Sequence, residues 1–295
     1  MAELWAGPWC GEFGFEIATW QGHVRHRASV YDLVCVGCRP ESQALYADFA
    51  DRFWDVPNKT WDDMNTNCHK RVDGKESEIA RAFERQARQC KGDIMTPASM
   101  SGKPGGSWRK FGKPTKGMEY DLLLHARYMR KGSKGGDMRR SAPQEWWDDL
   151  GSTLLKDGYN VASIGLSTQA LHVAGTHDIL DTPLGTLMDV MASSKCIIGA
   201  SSGPIHLAAM CMLPAVVWTH MKHKGYGGLT NTQRLKRNWN PFKTAVRLID
   251  VDQDAGTEFW IPPQDEVVEL IEETLDEQAG RTVAAHDGGD PLGAQ

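Results

Sequence analysis

Ser201-Ser202-Gly203-Pro204-Ile205-His206 combines residue types suited to holding a phosphate. The apolar run 196–200 before it is too short and too β-rich for a helix, and reads as a buried parallel strand. Small residues then allow a tight turn that a ligand can approach closely, and Pro204 fits a first helical position that needs no N–H. A helix over 205–212 follows, then Pro214 and a second strand over 215–219. The N-terminus of such a helix favours an anion. His206, in its first turn, is placed to meet phosphate or sugar, or else to be a satisfied structural histidine. Trp218 and His220, at the end of the next strand, are candidates for lining a base or ribose pocket. Arg127 and Arg130 emerge where the strand 121–125 meets its loop, and a guanidinium matches phosphate oxygens bidentately. A second chemical stretch, Cys10-Gly11-Glu12-Phe13-Gly14-Phe15-Glu16, occupies the first strand-to-helix turn, the end at which open α/β sheets bind ligands. Glu12 and Glu16 are its two acids; the alternative for both is a helix N-terminal acid favoured by the macrodipole.

The elements that must position these residues alternate between strand and helix. In the first half, strands are expected at 4–9 and 31–36, and helices at 15–27, 41–53 and 77–91. Residues 96–117 are rich in Gly, Pro, Ser and Lys without apolar period, which predicts a linker or mobile loop. In the second half, strands are expected at 121–125, 161–166, 196–200, 215–219 and 246–251. Helices are expected from a Ser141 capping box to Gly158, over 182–193, and over 262–275. This pattern gives an α/β protein of two Rossmann-like domains, 1–118 and 119–279, with a polar, disordered tail over 280–295.

Composition narrows the classes. At 295 residues, with 41% hydrophobic and 24% charged residues, the chain is an ordinary globular sequence able to bury two modest cores. No apolar run approaches the roughly 18 residues that span a bilayer. Met1-Ala-Glu-Leu-Trp5 lacks the basic and apolar regions of a secretory leader, so a cytoplasmic protein is expected. Seven cysteines at irregular spacing argue against a disulfide scaffold. Cys35 and Cys38 with Cys68 and His69 suggest zinc only weakly, because residues three apart on a strand face opposite ways. Asp252 and Asp254 form a short acidic pattern of the kind that binds metal elsewhere, but such patterns are common, and no metal is expected. Phosphate-loop and dinucleotide fingerprints are absent, which weighs against kinases and dehydrogenases.

The segment from Ser201 through the strand at 215–219, and more broadly about 120–219, resembles the signature of the heptosyltransferase-like glycosyltransferases of family 9. Ser201 stands where that family carries Asp, which puts any role of that acid in doubt here. The resemblance implies a GT-B fold, two Rossmann-like domains with a cleft between them. It implies a nucleotide-diphosphate sugar as donor, bound by the second domain, and an acceptor bound by the first. It also implies a base at Gly11-Glu12, where the family carries Gly-Asp. Such a carboxylate would take the acceptor hydroxyl's proton as the oxygen attacks the anomeric carbon. Glu16 is the second choice. Arg127, Arg130, Ser202, Gly203, Pro204 and His206 would hold the diphosphate without a metal, by a direct and therefore inverting displacement.

The acceptor stays open. Formal net charge is −5, yet residues 101–140 carry eleven Lys or Arg against three acids, and residues 219–249 carry seven with none. Trp108, Phe111, Trp239 and Phe242 interleave these segments in a pattern that fits backbone contacts plus base stacking. The Gly-Glu-Phe-Gly-Phe-Glu start and Asn238-Trp-Asn-Pro-Phe242 are loosely similar to bacteriophage transferases, which would imply double-stranded DNA with hydroxymethylated pyrimidines as partner. The alternatives are a saccharide or lipopolysaccharide acceptor with the basic segments as solvated loops, a sugar-nucleotide epimerase, and a non-catalytic binding module.

Overall fold

The computed structural model describes residues 1–56, 77–97, 106–128, 140–219, 230–237, 239–251 and 261–287. Within these, the strands form two wholly parallel sheets. The first comprises β1 (Glu3–Ala6), β2 (Leu33–Cys38), β3 (Arg52–Asp55) and β4 (Asp93–Met95), in the order β3-β2-β1-β4. The second comprises β5 (Leu122–His125), β6 (Val161–Ser163), β7 (His177–Asp178), β8 (Cys196–Ala200), β9 (Ala215–Thr219) and β10 (Val246–Asp250). Its order, β10-β9-β8-β5-β6-β7, is that of a doubly wound dinucleotide-binding sheet. Each sheet reverses its winding direction once, beside β1 in the first and between β5 and β8 in the second. Ligands of open α/β sheets bind at these reversals, outside the carboxyl ends of the strands.

Strand parity sorts the core into two layers. Leu123 of β5, Ile197 of β8 and Val217 of β9 join a cluster that also contains Leu4, Val36 and Ile17 of the first sheet's layers. Their neighbours Leu122, Leu124, Ile198, Val216 and Trp218 face the other way, under α4 (Gln144–Lys156) and α8 (Gln264–Asp287). One apolar layer is therefore common to both halves, because successive side chains on a strand point to opposite faces.

The expected strands and helices recur with several corrections. The segment 15–27 is not one helix: α1 (Phe13–Phe15) runs into a π-helical turn, Glu16–Trp20, and then α2 (Gln21–Ala28). The helix expected over 41–53 is a 3-10 turn, Pro40–Leu45, followed by edge strand β3. Helix α3 (Glu78–Gln89) starts as expected, with the Ser77 hydroxyl accepting from the Ala80 N–H. Ser141 does not cap α4; Pro143 stands at the N-cap, and the Ser141 hydroxyl accepts from Arg127 Nη1 at 3.3 Å. Helices α5 (Leu184–Ser193), α6 (Gly203–Met210) and α7 (Asn231–Arg237) complete the second half. α8 continues past the expected end at 275 as far as Asp287, into the stretch expected to be a disordered tail.

Residues 106–117 are a strap rather than a loose linker. Ser107 N donates to Gly22 O (2.9 Å) and Arg109 pairs with Asp48 (2.8 Å) on the first half. Phe111 N donates to Met210 O (3.0 Å), Lys113 N to Asp189 Oδ1 and Thr115 N to Ser193 Oγ (both 2.8 Å) on the second. Gly112 is required here: its φ is +73° and a Cβ would lie 2.1 Å from Met188 O.

Candidate functional site

The two turns singled out in the sequence meet each other. Phe13-Gly14, after β1, packs on the first turn of α6. A Cβ on Gly14 would lie 3.1 Å from His206 Cδ2, and one on Gly203 would lie 2.9 Å from Phe13 Cδ1. Glycine at both positions lets the backbones approach this closely. Pro204 occupies the first turn of α6, as expected from its missing N–H.

Ser202 is the N-cap residue of α6, but its hydroxyl makes no capping bond. It shares a hydrogen bond of 3.0 Å with His125 Nδ1, across the reversal between β5 and β8. The first N–H groups of the helix are thus left without a side-chain cap, at the positive end of its dipole. Burial, and then the Arg127 charge, push the His125 pKa down to about 3, so its ring is neutral. Two cations border this helix end. Arg127 follows β5 and reaches Ser141. Arg140 donates from Nη1 to the Ser201 carbonyl at 2.7 Å, which ties it to the turn itself.

Glu12 stands at the N-cap of α1 and makes no capping hydrogen bond, so the macrodipole account of this acid lacks its usual contact. The residue as a whole is exposed, yet partial burial of its carboxyl pushes its pKa above the ordinary carboxylate value. Arg140, and after it Arg127, pull the other way. The acid of one half therefore lies within the field of the cations of the other. Glu16 is placed differently: it is wholly buried, and its carboxylate accepts from Arg39, Ser42 and Tyr46. A group so enclosed cannot reach a substrate hydroxyl, which removes Glu16 as a candidate base.

One further expectation is corrected. Trp218 does not line a pocket: it is 1% exposed and packs against Trp146 and Trp147, on the sheet face turned away from the β1 turn. Strand parity already implies this, since Trp218 lies two residues from Val216 on the same face. His206 is 5% exposed, with its ring 4.5 Å from that of Trp239. Burial, and then Arg140, push its pKa down to about 3, so it carries no positive charge to a diphosphate. Its Nδ1 has no hydrogen-bond partner among the described residues. Arg130, His220, Cys68, His69, Asp252 and Asp254 lie outside the described residues.

The aromatic side chains expected to stack bases are spent on packing. Phe111 and Trp239 are buried, Trp108 and Phe242 pack on the shared core, and Arg234 lies over the Trp239 ring. Cys35 packs with Phe83 and Ala87 while Cys38 faces the opposite layer, as the strand spacing requires. Among the described residues no three His, Cys, Asp or Glu side chains cluster as a metal would require. No helix among them is long and apolar enough to cross a membrane.

No family model matches the chain, and no curated protein matches it in sequence. Solved structures do match in fold. A glycosyl transferase of family 9 from Veillonella parvula DSM 2008 superposes with a TM-score of 0.59 at 10% identity, over 94% of this chain and 97% of that one. The E. coli ADP-heptose LPS heptosyltransferase II gives 0.57 at 13% identity, over 95% and 100%. The chain has the GT-B fold. In GT-B terms, the β1 turn with Glu12 belongs to one Rossmann-like unit and the α6 end with Arg127 and Arg140 to the other. Neither structure shows the loose bacteriophage likeness.

Sequence reasoning missed Arg140 and Arg39. Arg140 sits at the end of a basic run in which nothing distinguishes it from Arg139, and its bond to the Ser201 carbonyl crosses 61 positions. No local pattern reports such a contact.

Proposed function

We propose that this protein is a glycosyltransferase that moves a sugar from a nucleotide-diphosphate donor to a saccharide hydroxyl. The observation that carries the reading is the packing of the Glu12 turn on the uncapped first turn of α6, where Arg140 holds the Ser201 carbonyl. The donor diphosphate lies at that helix end, where Arg127, Arg140 and the N–H groups of the first turn offset its charge. Ser202 and Gly203 shape the turn beneath it. Glu12 takes the proton of the acceptor hydroxyl as its oxygen bonds to the anomeric carbon. The bond from that carbon to the diphosphate oxygen breaks, and its electron pair leaves with the nucleotide diphosphate. A single displacement of this kind inverts the anomeric centre. The raised pKa of Glu12 suits a base, because it makes the carboxylate a better proton acceptor.

A saccharide acceptor is favoured over DNA for two reasons. The E. coli structure of the same fold is named for a lipopolysaccharide heptosyltransferase. The aromatic residues that suggested base stacking, Trp108, Phe111, Trp239 and Phe242, are held in or against the core. That same name suggests ADP-heptose as the first donor to try.

The test is a mass-spectrometric transfer assay. A panel of nucleotide sugars is offered with saccharide acceptors and, separately, with duplex DNA containing hydroxymethylcytosine or hydroxymethyluracil. Glycosylated saccharide with unmodified DNA is the expected result. A sugar mass on the DNA nucleosides would overturn the acceptor and keep the reaction. Altered donor with no acceptor present would point to an epimerase, and bound but unreacted nucleotide sugar to a non-catalytic module.

A further inference from the structure

Beneath the β1 turn lies a polar cluster that the proposed displacement does not use. Glu16 is 0% exposed and Arg39 2%. Arg39 Nη2 donates to Glu16 Oε2 at 3.0 Å, and Ser42 Oγ donates to the same oxygen at 2.9 Å. Tyr46 Oη donates to Glu16 Oε1 at 2.9 Å. The other arm of the guanidinium, Nη1, leaves the cluster and donates to the Gly11 carbonyl at 3.0 Å. The backbone N–H of Glu16 in turn donates to the Glu12 carbonyl at 3.1 Å. Both carbonyls that flank the Glu12 Cα are therefore held by this one pair of residues.

Stability alone does not account for such a cluster. Desolvating two charges costs about as much as their attraction returns, and apolar side chains of similar volume often serve a core equally well. What an apolar replacement could not do is grip a carbonyl of the turn. The π-helical turn adds to the arrangement: the Gln21 N–H bonds back to Glu16 O, five residues away, in the segment that carries the Glu16 side chain. Single π-turns inside helices recur at functional sites.

We infer that Glu16 and Arg39 are a buried positioning pair that fixes the Gly11–Glu12 turn, and so the Glu12 carboxylate, against the cations across the seam. The inference rests on Glu12 being the base of the proposed transfer. Neither Glu16 nor Arg39 touches substrate; both act through Glu12.

Arg39→Lys tests it, because one ammonium keeps the charge but lacks the planar fork that spans Glu16 and Gly11 O. In the full-length protein, kcat should fall on the order of 10- to 100-fold, the cost of misplacing a reacting group by an ångström or less. The donor KM should stay nearly unchanged, since the diphosphate end is untouched. The double variant Arg39→Lys with Glu12→Gln should be no slower than Glu12→Gln alone. A wild-type kcat in Arg39→Lys would overturn the inference. So would a double variant slowed by the full product of the two single effects. If Arg39→Lys fails to fold, judged by thermal unfolding, Glu16→Gln carries the same cycle, because it keeps the shape and removes the charge that holds Arg39. If Glu12→Gln itself turns over at the wild-type rate, the base assignment falls. The pair is then judged by hydrogen exchange at the Glu12 amide: faster exchange in Arg39→Lys upholds it, and an unchanged rate overturns it.

Discussion

Two strand-to-helix turns, one from each Rossmann-like unit, meet carrying groups of opposite charge. Each follows a central parallel strand, β1 or β8, and each leads into a helix with a glycine at the point of closest approach. The β1 turn presents a carboxylate, Glu12, on a backbone gripped from below by Arg39 and Glu16. The β8 turn presents backbone N–H groups and borrowed cations. Ser202 is turned toward His125, and Arg140 is tied to the Ser201 carbonyl. The same geometry thus delivers negative charge from one side of the seam and positive charge from the other. A reaction in which a proton leaves one partner while negative charge builds on the other needs that opposition.

The comparison can be broken most sharply at Glu12. Glu12→Gln should lower kcat by about 10²- to 10⁴-fold, the usual worth of a positioned general base. Donor binding, read by calorimetry, should survive. Loss of binding with preserved turnover would reverse the roles of the two turns.

Trp218 tests where the β8 side of the seam ends. As a fully buried member of the Trp146–Trp147–Trp218 cluster, Trp218→Ala should cost about 3–5 kcal/mol of stability by denaturant unfolding. The donor KM of the folded protein should not change. A selective rise in KM without destabilisation would return Trp218 to the nucleotide site.

Arg140→Ala sharpens the account of the cationic side. Charge-assisted contacts of this kind are worth about 1.5–3 kcal/mol, so nucleoside diphosphate affinity should fall on the order of 10- to 100-fold. An unchanged affinity would confine Arg140 to holding the Ser201 turn.

The smallest effect expected is a displaced pH profile. Glu12 must be ionised to act as base, so kcat should fall as pH drops through its pKa, which lies above the ordinary carboxylate value. Arg140 lowers that pKa, so Arg140→Ala should move the acid limb to higher pH. Movement to lower pH, or none, would mean that the limb belongs to another group.

What could be read in the sequence followed the strength of the local pattern. β8 and β9 lie where the apolar runs and Pro214 put them, Cys196–Ala200 and Ala215–Thr219, because buried parallel strands leave a dense, unambiguous record. β4 and β7 have three and two residues, too few to show any period. The segment 41–53 carries scattered apolar residues that mimic a helix; instead Phe53 and Trp54 enter an edge strand paired to Val36 and Gly37. In the two turns, the places of Glu12, Gly203 and Pro204 were visible because turn chemistry is local. Arg39 and Arg140 were not, since each matters through a backbone carbonyl supplied from far along the chain, 28 and 61 positions away. Trp108, Phe111, Trp239 and Phe242 misled because aromatic residues among basic ones look the same whether they stack on bases or on a core.

The most direct measurement of the central claim is a structure of the protein with a nucleoside diphosphate bound. The account predicts phosphate oxygens at the first turn of α6, beside Arg127 and Arg140, with the Glu12 carboxylate facing them across the seam. A diphosphate seated away from the β8 turn, or on the β1 side in place of Glu12, would contradict it.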